Sequence, residues 1–232
     1  SKTNRCRAFS DSADGYVRSE GAGLIFLKPL SKAIQDRDNI WAVIRGSCIN
    51  HDGYTKDGIT RPCTKSQQVL IEKSIDQAKL EPHEINFIEA HATGTQAGDL
   101  SEVNAINNAL SSNKRKNKCW VGAVKTNIGH LEAASGIASI IKTCLVLKNK
   151  VLPKNLYGEI FNKNINIYNL SLRFPSKLTS LSKIKSLIAS INSFGYGGVN
   201  ANLILEEYTI TKDKNNKSVN SKYFIPISSY NY

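Results

Sequence analysis

The sequence predicts an α/β layered fold, in which short strands alternate with helices. Apolar runs rich in β-branched residues are separated by segments whose apolar residues recur at helical intervals. One long helix, predicted over residues 131–149, is apolar almost all round, which is typical of a helix buried on several sides. Near the end of the chain, SLIASINS and ANLILEE flank the glycine-rich turn FGYGGVN and predict a pair of strands.

The other elements follow in order along the chain. Short apolar runs predict strands over residues 22–29, 40–48, 85–91 and 120–124. Two further helices are predicted over residues 64–79, with Thr64 as N-cap, and over residues 98–110, with Asp99 in the first turn. The segment 50–63, with two Asp-Gly pairs and a proline, and the basic run SSNKRKNK are predicted to be loops.

Composition places the chain among globular proteins. Its 232 residues include 31 Lys+Arg and 19 Asp+Glu, a formal net charge of +12, and 41% of the residues are hydrophobic. Charged and hydroxyl side chains interrupt its most apolar stretch, so no transmembrane helix is expected. The N-terminal segment has no apolar region typical of a secretory signal, and a cytoplasmic location is therefore expected.

The cysteines indicate neither a disulfide framework nor a metal site. The five cysteines lie far apart, without a Cys-x-x-Cys pair or a Cys/His ligand spacing. Further along, from residue 209, the sequence is rich in Lys, Asn and Ser and lacks periodicity, so a domain end is predicted near Tyr208.

Three segments concentrate Gly, His, Thr and Asn beyond what packing requires, namely EAHATGTQAGD, VKTNIGH and NSFGYGGVNA. Each follows a predicted strand, and reacting groups collect at strand ends in open α/β sheets. His130 precedes the long apolar helix, whose N-terminal potential disfavours an imidazolium, and a neutral imidazole can donate an N–H to an oxyanion. Lys125 is a candidate fixed cation beside it. A structural histidine and an ordinary surface lysine are the alternatives, and His51 and His83 are interpreted as structural.

The glycine-rich turn is a further candidate. Gly195, Gly197 and Gly198 permit positive φ and close approach of the backbone, so FGYGG could present N–H groups to an anionic intermediate. A plain hairpin turn would account for the same residues.

In this order, HATGTQAGD, VKTNIGHLEAASGIASIIK and NSFGYGGVNANLILEE resemble three signature blocks of β-ketoacyl synthases from modular polyketide synthases and animal-type fatty acid synthases. FSDSADGYVRSEGAGLIFLKPLSKA resembles the segment that leads into the C-terminal half of that family. The family is similar to thiolases. The resemblance therefore implies a thiolase-like C-terminal half with a mixed five-stranded sheet, helices on its faces and one buried central helix.

The resemblance also implies a division of the chain. Residues 1–38 would be the end of the ketosynthase N-terminal half and residues 39–208 the C-terminal half. Residues 209–232 would be a linker, in which YFIPISS resembles the start of the segment that follows a ketosynthase.

The implied activity is decarboxylative Claisen condensation of an acyl group with a malonyl-type unit on an acyl carrier protein. The phosphopantetheine arm of that carrier would hold the substrate, and no cofactor would bind directly. His91 and His130 would bind the thioester carbonyl and stabilise the enolate, and Lys125 would order the site electrostatically. The implied oxyanion and gating turn and the supporting polar residues are Tyr196, Gly195, Gly197, Thr93, Thr95, Asn127 and Asn192.

The chain departs from the family pattern in two ways. The family nucleophile is a cysteine in a DTACSSS-like block, and no such block is present among these residues. Ala92, Val199 and Ser19 also stand where the family usually has glycine, threonine and glycine. These changes spare both histidines, so the chain is expected to supply a two-histidine half-site without the thiol.

These observations are compatible with three functions. The chain is part of a polyketide synthase ketosynthase that needs a partner to supply the cysteine, or it is an inactive remnant that at most binds a carrier protein or a partner synthase. A nucleic-acid binder is the weakest reading, because the basic residues are dispersed and no nucleic-acid signature accompanies them. The basic surface suits an acidic carrier protein, and neither nucleic acid nor membrane is expected as a partner.

These interpretations carry structural expectations. The imidazoles of His91 and His130 should lie within roughly 10 Å of each other, because both follow strands that end at the same side of one sheet. Part of the apolar surface of the long helix should face solvent, because in the family it lies between two halves.

Overall fold

A computed structural model describes residues 1–54, 58, 61–158 and 160–209 of the chain. The helices are α1 (Leu30–Gln35), α2 (Thr64–Gln77), α3 (Gln96–Ala109), α4 (Lys125–Ile128) and α5 (Ser135–Asn149). The strands are β1 (Val43–His51), β2 (Phe87–Glu89), β3 (Cys119–Gly122), β4 (Val151–Leu152), β5 (Leu172–Arg173), β6 (Thr179–Ser180), β7 (Ile188–Phe194) and β8 (Val199–Glu206). The segment YFIPISS and nearly all of the predicted linker lie outside the described residues.

Six strands form one mixed sheet in the order β1, β8, β7, β2, β3 and β5. Strands β1 and β7 each pair with β8 antiparallel, whereas β2 pairs in parallel with β7 and β3, and β3 pairs in parallel with β5. The α/β class and the mixed sheet are confirmed, but the sheet has six strands instead of five. The additional strand, β5, has two residues, which is too short to produce a periodic sequence pattern.

The parallel strands bring their carboxyl ends to one side of the sheet. Glu89, the last residue of β2, lies in register with Gly122 of β3 and with Ile191 of β7. The chain therefore leaves β2 and β3 at the same side, where the polar segments are predicted to meet.

Two apolar clusters hold the helices against the sheet. Ile71 of α2 and Val103 of α3 belong to one cluster, and Val146 of α5 belongs to the other. Successive residues of β2 face different clusters, with Ile88 in the first and Phe87 in the second. Because side chains alternate along a strand, α5 covers the face of the sheet opposite to α2 and α3.

Helix α5 is buried on one side only. Val146 and Leu147 are buried, whereas Ile141 and Leu145 are 40% and 45% exposed. The exposed side lines an apolar groove of about 590 Å³, to which Ile128 of α4 also contributes. The expected exposure of part of this helix is confirmed.

The predicted buried strand over residues 22–29 is wrong. The segment belongs to no helix or sheet, and its side chains Leu24 and Phe26 are 97% and 90% exposed. Among the described residues no strand lies beside it to accept its backbone hydrogen bonds, so its apolar composition does not lead to burial.

The starts of two helices differ from prediction for local reasons. Helix α5 begins at Ser135, not at residue 131, because Glu132 takes a positive φ of 51° within a short 3₁₀ turn. Helix α2 begins at Thr64, but Cys63 occupies the N-cap position. The Thr64 hydroxyl instead hydrogen-bonds the hydroxyl of Ser101 on α3 at 2.6 Å.

The remaining predicted helices and strands occur within three residues of their expected bounds. The basic run SSNKRKNK is a loop between α3 and β3, as predicted. The short elements α1, α4, β4 and β6 have no periodic sequence pattern that predicts them. Within the described ranges, no helix is both long and apolar enough to cross a lipid bilayer.

Candidate functional site

Two imidazoles and one ammonium group meet at the carboxyl side of the sheet. The ring centroids of His91 and His130 are 5.6 Å apart, and the rings are almost perpendicular. The ammonium nitrogen of Lys125 lies 3.5 Å from Nδ1 of His91. The predicted proximity of the two histidines is confirmed, and the lysine joins them.

The loop that carries His91 is held by a carboxylate of α3. Glu102 accepts hydrogen bonds from the backbone amides of His91 and Ala92, each at 2.8 Å. The side-chain amide of Asn192 on β7 donates to the same carboxylate at 2.9 Å. Glu102 is 2% exposed. Burial raises the pKa of Glu102, and its three hydrogen bonds oppose that shift in part.

A second buried carboxylate holds the next part of the same loop. Asp99 accepts from the amide of Gly94 at 3.1 Å and from the amide of Phe9 at 2.6 Å. The loop needs this support because it turns sharply, with positive φ values of 43° at Ala92 and 82° at Gly94. An alanine pays a steric cost there that glycine avoids.

Lys125 lies in the first turn of α4, immediately after β3. The amide of Val124 donates to Oε1 of Glu89 at 2.6 Å, which fixes the start of this short helix. Lys125 is 2% exposed. Burial lowers the pKa of Lys125, and the nearby carboxylates of Glu102 and Glu89 oppose that shift.

His130 is anchored through its backbone to the N-terminal segment. Its amide donates to the carbonyl oxygen of Val17 at 2.8 Å, and its own carbonyl accepts from the amide of Ser19 at 2.9 Å. The ring nitrogen Nδ1 accepts a hydrogen bond from the amide of Glu132 at 2.9 Å. The segment that precedes α1 therefore forms one wall of the site.

These contacts assign the same tautomer to both imidazoles. Nδ1 of His130 is an acceptor, and Nδ1 of His91 faces an ammonium group that can only donate. The proton of each neutral ring is therefore carried by Nε2. The site presents two imidazole N–H donors beside a buried cation.

Both imidazoles are held in the neutral form. Burial lowers the pKa of His91 well below its ordinary value, and the positive charge of Lys125 and then His130 lower it further. Burial also lowers the pKa of His130, and Lys125 again adds to the shift. Neutral rings can donate hydrogen bonds to a developing negative charge without giving up a net proton.

The glycine-rich turn forms a tight hairpin between β7 and β8. The amide of Gly195 donates to the carbonyl oxygen of Val199 at 2.7 Å, so this N–H is used within the hairpin and not for an oxyanion. Tyr196 is 75% exposed, and Gly197 follows it at the tip. The gating and donor roles of Tyr196 and Gly197 stay predictions.

The aromatic ring beside the histidines is Phe194, which the sequence analysis does not single out. Its centroid lies 5.8 Å from that of His91. Phe194 ends β7, a strand in which successive residues are buried, so an apolar side chain there gives no chemical signal in the sequence.

The four supporting residues have different surroundings. The hydroxyls of Thr93 and Thr95 lie 3.2 Å apart. Asn127 is exposed, and its side-chain oxygen accepts from the hydroxyl of Thr126 at 3.0 Å. Asn192 is the one of the four that reaches the loop of His91, through its bond to Glu102.

All five cysteines are free thiols. Cys6 is buried close to the site, where the amide of Val17 donates to its sulfur at 3.2 Å. Burial raises the pKa of Cys6, although the bond to Val17 and the charge of Lys125 oppose the shift. A thiol in this state is a weak nucleophile. Across the described ranges, no cluster of His, Cys, Asp and Glu has the geometry to hold a metal ion.

The carboxylates that organise the site are absent from the residues proposed on sequence grounds. Asp99 and Glu102 lie three positions apart near the start of α3, on one face of the helix. Two acids at that spacing directly after a glycine-containing loop are a signal that could have indicated a loop anchor. The sequence gives no such signal for Glu89, because a single acidic residue in a short strand does not indicate burial or an ion pair.

Family models match the two parts of the chain separately. The model described as the β-ketoacyl synthase C-terminal domain matches residues 41–159. The model described as the β-ketoacyl synthase N-terminal domain matches residues 1–33.

Curated relatives are multidomain synthases. The chain is similar to the highly reducing polyketide synthase ausV of Aspergillus calidoustus, with 44% identity over 90% of this chain. It is also similar to the probable polyketide synthase 2 of Dictyostelium discoideum, with 43% identity over 99% of this chain. In both comparisons the chain spans 8% of the length of the relative.

Solved ketosynthases share the fold. The ketosynthase from module 6 of the bacillaene synthase of Bacillus subtilis 168 matches with a TM-score of 0.86 and 37% identity, covering 90% of this chain and 38% of that one. A second match, a ketosynthase domain of oxazolomycin biosynthesis from Streptomyces albus JA3453, has a TM-score of 0.86 and 34% identity. The thiolase-like α/β fold predicted from the sequence agrees with these structures, and the chain belongs to the β-ketoacyl synthase family, as the C-terminal part of a ketosynthase domain of the polyketide synthase kind.

Proposed function

We propose that the chain supplies the two-histidine half of a ketosynthase active site that catalyses decarboxylative Claisen condensation. The observation that carries this proposal is the pair of neutral imidazoles 5.6 Å apart, each with its proton on Nε2. Two N–H donors at this spacing suit a single thioester carbonyl oxygen that becomes an enolate oxygen.

In the proposed reaction, His91 and His130 donate hydrogen bonds to the carbonyl oxygen of a malonyl-type thioester. The bond to the carboxylate carbon breaks and carbon dioxide leaves. The electron pair of the broken bond stays on the remaining thioester and forms the enolate. The enolate carbon then attacks the carbonyl of an acyl thioester, a carbon–carbon bond forms, and a cysteine thiolate leaves. Lys125 stabilises the negative charge that builds up during these steps.

The cysteine in this scheme comes from residues outside the 232 considered. None of the five cysteines stands in the DTACSSS-like setting of the family, and the thiol of Cys6 is held protonated by burial. The proposed source is a ketosynthase N-terminal half, in the same longer polypeptide or in a separate one. The apolar groove along α5 and the exposed side chains of Leu24 and Phe26 support contact with such a half.

The substrate is proposed to arrive on the phosphopantetheine arm of an acyl carrier protein. Carrier proteins of this kind are acidic, and the formal net charge of +12 on this chain favours their approach. Relatives are named as polyketide synthases, which supports carrier protein and neighbouring synthase domains as partners.

The test is malonyl decarboxylation by the chain reconstituted with the N-terminal half of a related ketosynthase. His91→Ala and His130→Ala should each lower the rate at least roughly 100-fold, because each removes a donor to the developing enolate. His83→Ala is the matched control, since His83 lies on a 3₁₀ turn before β2, and it should leave the rate unchanged. Full activity in either site variant would overturn the proposal. No decarboxylation by the reconstituted parent would overturn it as well and favour an inactive binding remnant.

A further inference from the structure

A buried ion pair lies directly behind the candidate site. Glu89 has no exposed side-chain surface, and its Oε2 lies 2.6 Å from the ammonium nitrogen of Lys142 on α5. The side chain of Lys142 is 12% exposed. Charges are seldom buried without a partner, and a pair this deep costs desolvation energy that hydrophobic residues would avoid.

The pair joins the three elements that carry the site. Glu89 ends β2 two positions before His91, and its other oxygen accepts from the amide of Val124, the residue before Lys125. Lys142 lies on the helix that follows His130. One carboxylate therefore contacts the start of α4 through a hydrogen bond and α5 through an ion pair.

The neighbouring strand leaves room for this pair. A Cβ atom at Gly122 would lie 2.9 Å from Oε2 of Glu89 and 3.0 Å from Nζ of Lys142. It would also lie 2.8 Å from the ring of Phe87. Any side chain at this position of β3 would displace the two charged groups.

The carboxylate of Glu89 acts on two lysines. It pairs with Lys142 by contact and attracts the buried ammonium of Lys125 from nearby. The titratable groups around Lys125 are His91, Glu102, Glu89, Cys6, Asp99 and His130. The imidazoles face Lys125 and each other, and His130 also faces Glu132 and Tyr16. Lys142 does not belong to this set of groups, and its positive charge neutralises the negative charge of Glu89.

We propose that Glu89 and Lys142 are positioning residues, a buried charge pair that keeps the Lys125 ammonium against His91 and tunes the field on both imidazoles. The effect of this pair on catalysis rests on the proposed function. Its effect on the pKa of the imidazoles does not, because that is a property of the folded chain. Neither residue contacts the substrate in this scheme. Lys142 limits how strongly Glu89 can draw Lys125 away from the histidine.

Removing Glu89 and removing Lys142 should shift the pKa of the imidazoles in opposite directions. Lys142→Met leaves the negative charge of Glu89 unbalanced and should raise the pKa of both imidazoles, by about half a pH unit. Glu89→Gln leaves the positive charge of Lys142 and should lower both values by a similar amount. A pair that only braces the fold would not give shifts of opposite sign.

The measurement is a histidine ring NMR titration of the 232-residue chain, co-expressed with an N-terminal ketosynthase half to keep it in solution. The chain has four histidines, which His91→Gln and His130→Gln variants assign. The double variant Glu89→Gln/Lys142→Met should return both imidazoles close to their parent values, because it removes both charges. Lys142→Arg should keep the pair and the parent values.

A matched control removes a partly buried ion pair elsewhere. Lys150 lies 2.9 Å from Glu207, away from β2 and α4, and Lys150→Met should leave both imidazoles unchanged. Shifts of the same sign in the two single variants, or no recovery in the double variant, would overturn the inference. Opposite shifts in a protein without decarboxylase activity would uphold it while the proposed function failed.

Discussion

Asp99 places a titratable carboxyl group inside the candidate site. Burial raises the pKa of Asp99 to about 7, and the negative charge of Glu102 adds to the shift, while amide donors such as that of Phe9 oppose it. An unfolded aspartate titrates near 3.8, so the folded state binds this proton more tightly between those values. The resulting stabilisation is complete below about pH 4 and is lost as the pH rises towards 7.

The variant Asp99→Asn separates the contribution of Asp99 to the free energy of unfolding from that of the histidines. As the pH falls, the buried histidines destabilise the fold, because their pKa values are lowered. The free energy of unfolding of the parent should exceed that of Asp99→Asn most at about pH 4.5, and the difference should shrink as the pH approaches 7.5. Urea titrations at several pH values measure it. A parent advantage that grew with pH would contradict the assignment.

At the level of elements, helix α5 has one side buried against the sheet and one side exposed along the groove. Leu147 is 1% exposed and packs in the apolar cluster against the sheet, whereas Ile141 and Leu145 line the open groove. Their exposed apolar area is a site of self-association when no partner covers it.

Substitutions on the two sides should therefore behave differently. Ile141→Lys combined with Leu145→Lys should raise the soluble fraction of the isolated chain several-fold and change its thermal midpoint little, because both residues are at least 40% exposed. Leu147→Lys, on the buried side, should abolish cooperative unfolding. Ultracentrifugation and thermal melting measure both effects. The double variant should also lose rescue by a co-expressed N-terminal half, and retention of that rescue would place the contact elsewhere.

The sequence predicts elements better than it predicts their environment. Strands β7 and β8 are found because ANLILEE and SLIASINS have strong strand composition, and His91 and His130 are found because histidine and glycine are unusual there. Residues 22–29 are misassigned because an apolar run does not reveal whether a neighbouring strand exists. Burial of Glu89 and Glu102 also depends on the tertiary fold, which one sequence does not display.

At the level of the whole molecule, the described residues bring two imidazoles together, and the pKa of Cys6, the thiol buried close to them, is raised. The isolated chain should therefore form no acyl-enzyme with an acyl-CoA, because transfer needs a thiolate and burial raises the pKa of Cys6. Intact-mass spectrometry after incubation measures this. The chain reconstituted with a cysteine-bearing N-terminal half should gain one acyl group on that half. A stoichiometric adduct mapped to a cysteine of this chain would contradict the prediction, and Cys6→Ser would then identify or exclude that residue.

The pairing of β1 with β8 also sets an order of events during biosynthesis. Val43 lies opposite Glu206 in this ladder. The first strand of the sheet therefore cannot form its backbone hydrogen bonds until the last strand has been synthesised. A ribosome must translate everything between them before the ladder can close, and such distant contacts slow folding. Throughout that interval the apolar residues 22–29 are already outside the exit tunnel, and chaperones have a long opportunity to bind them.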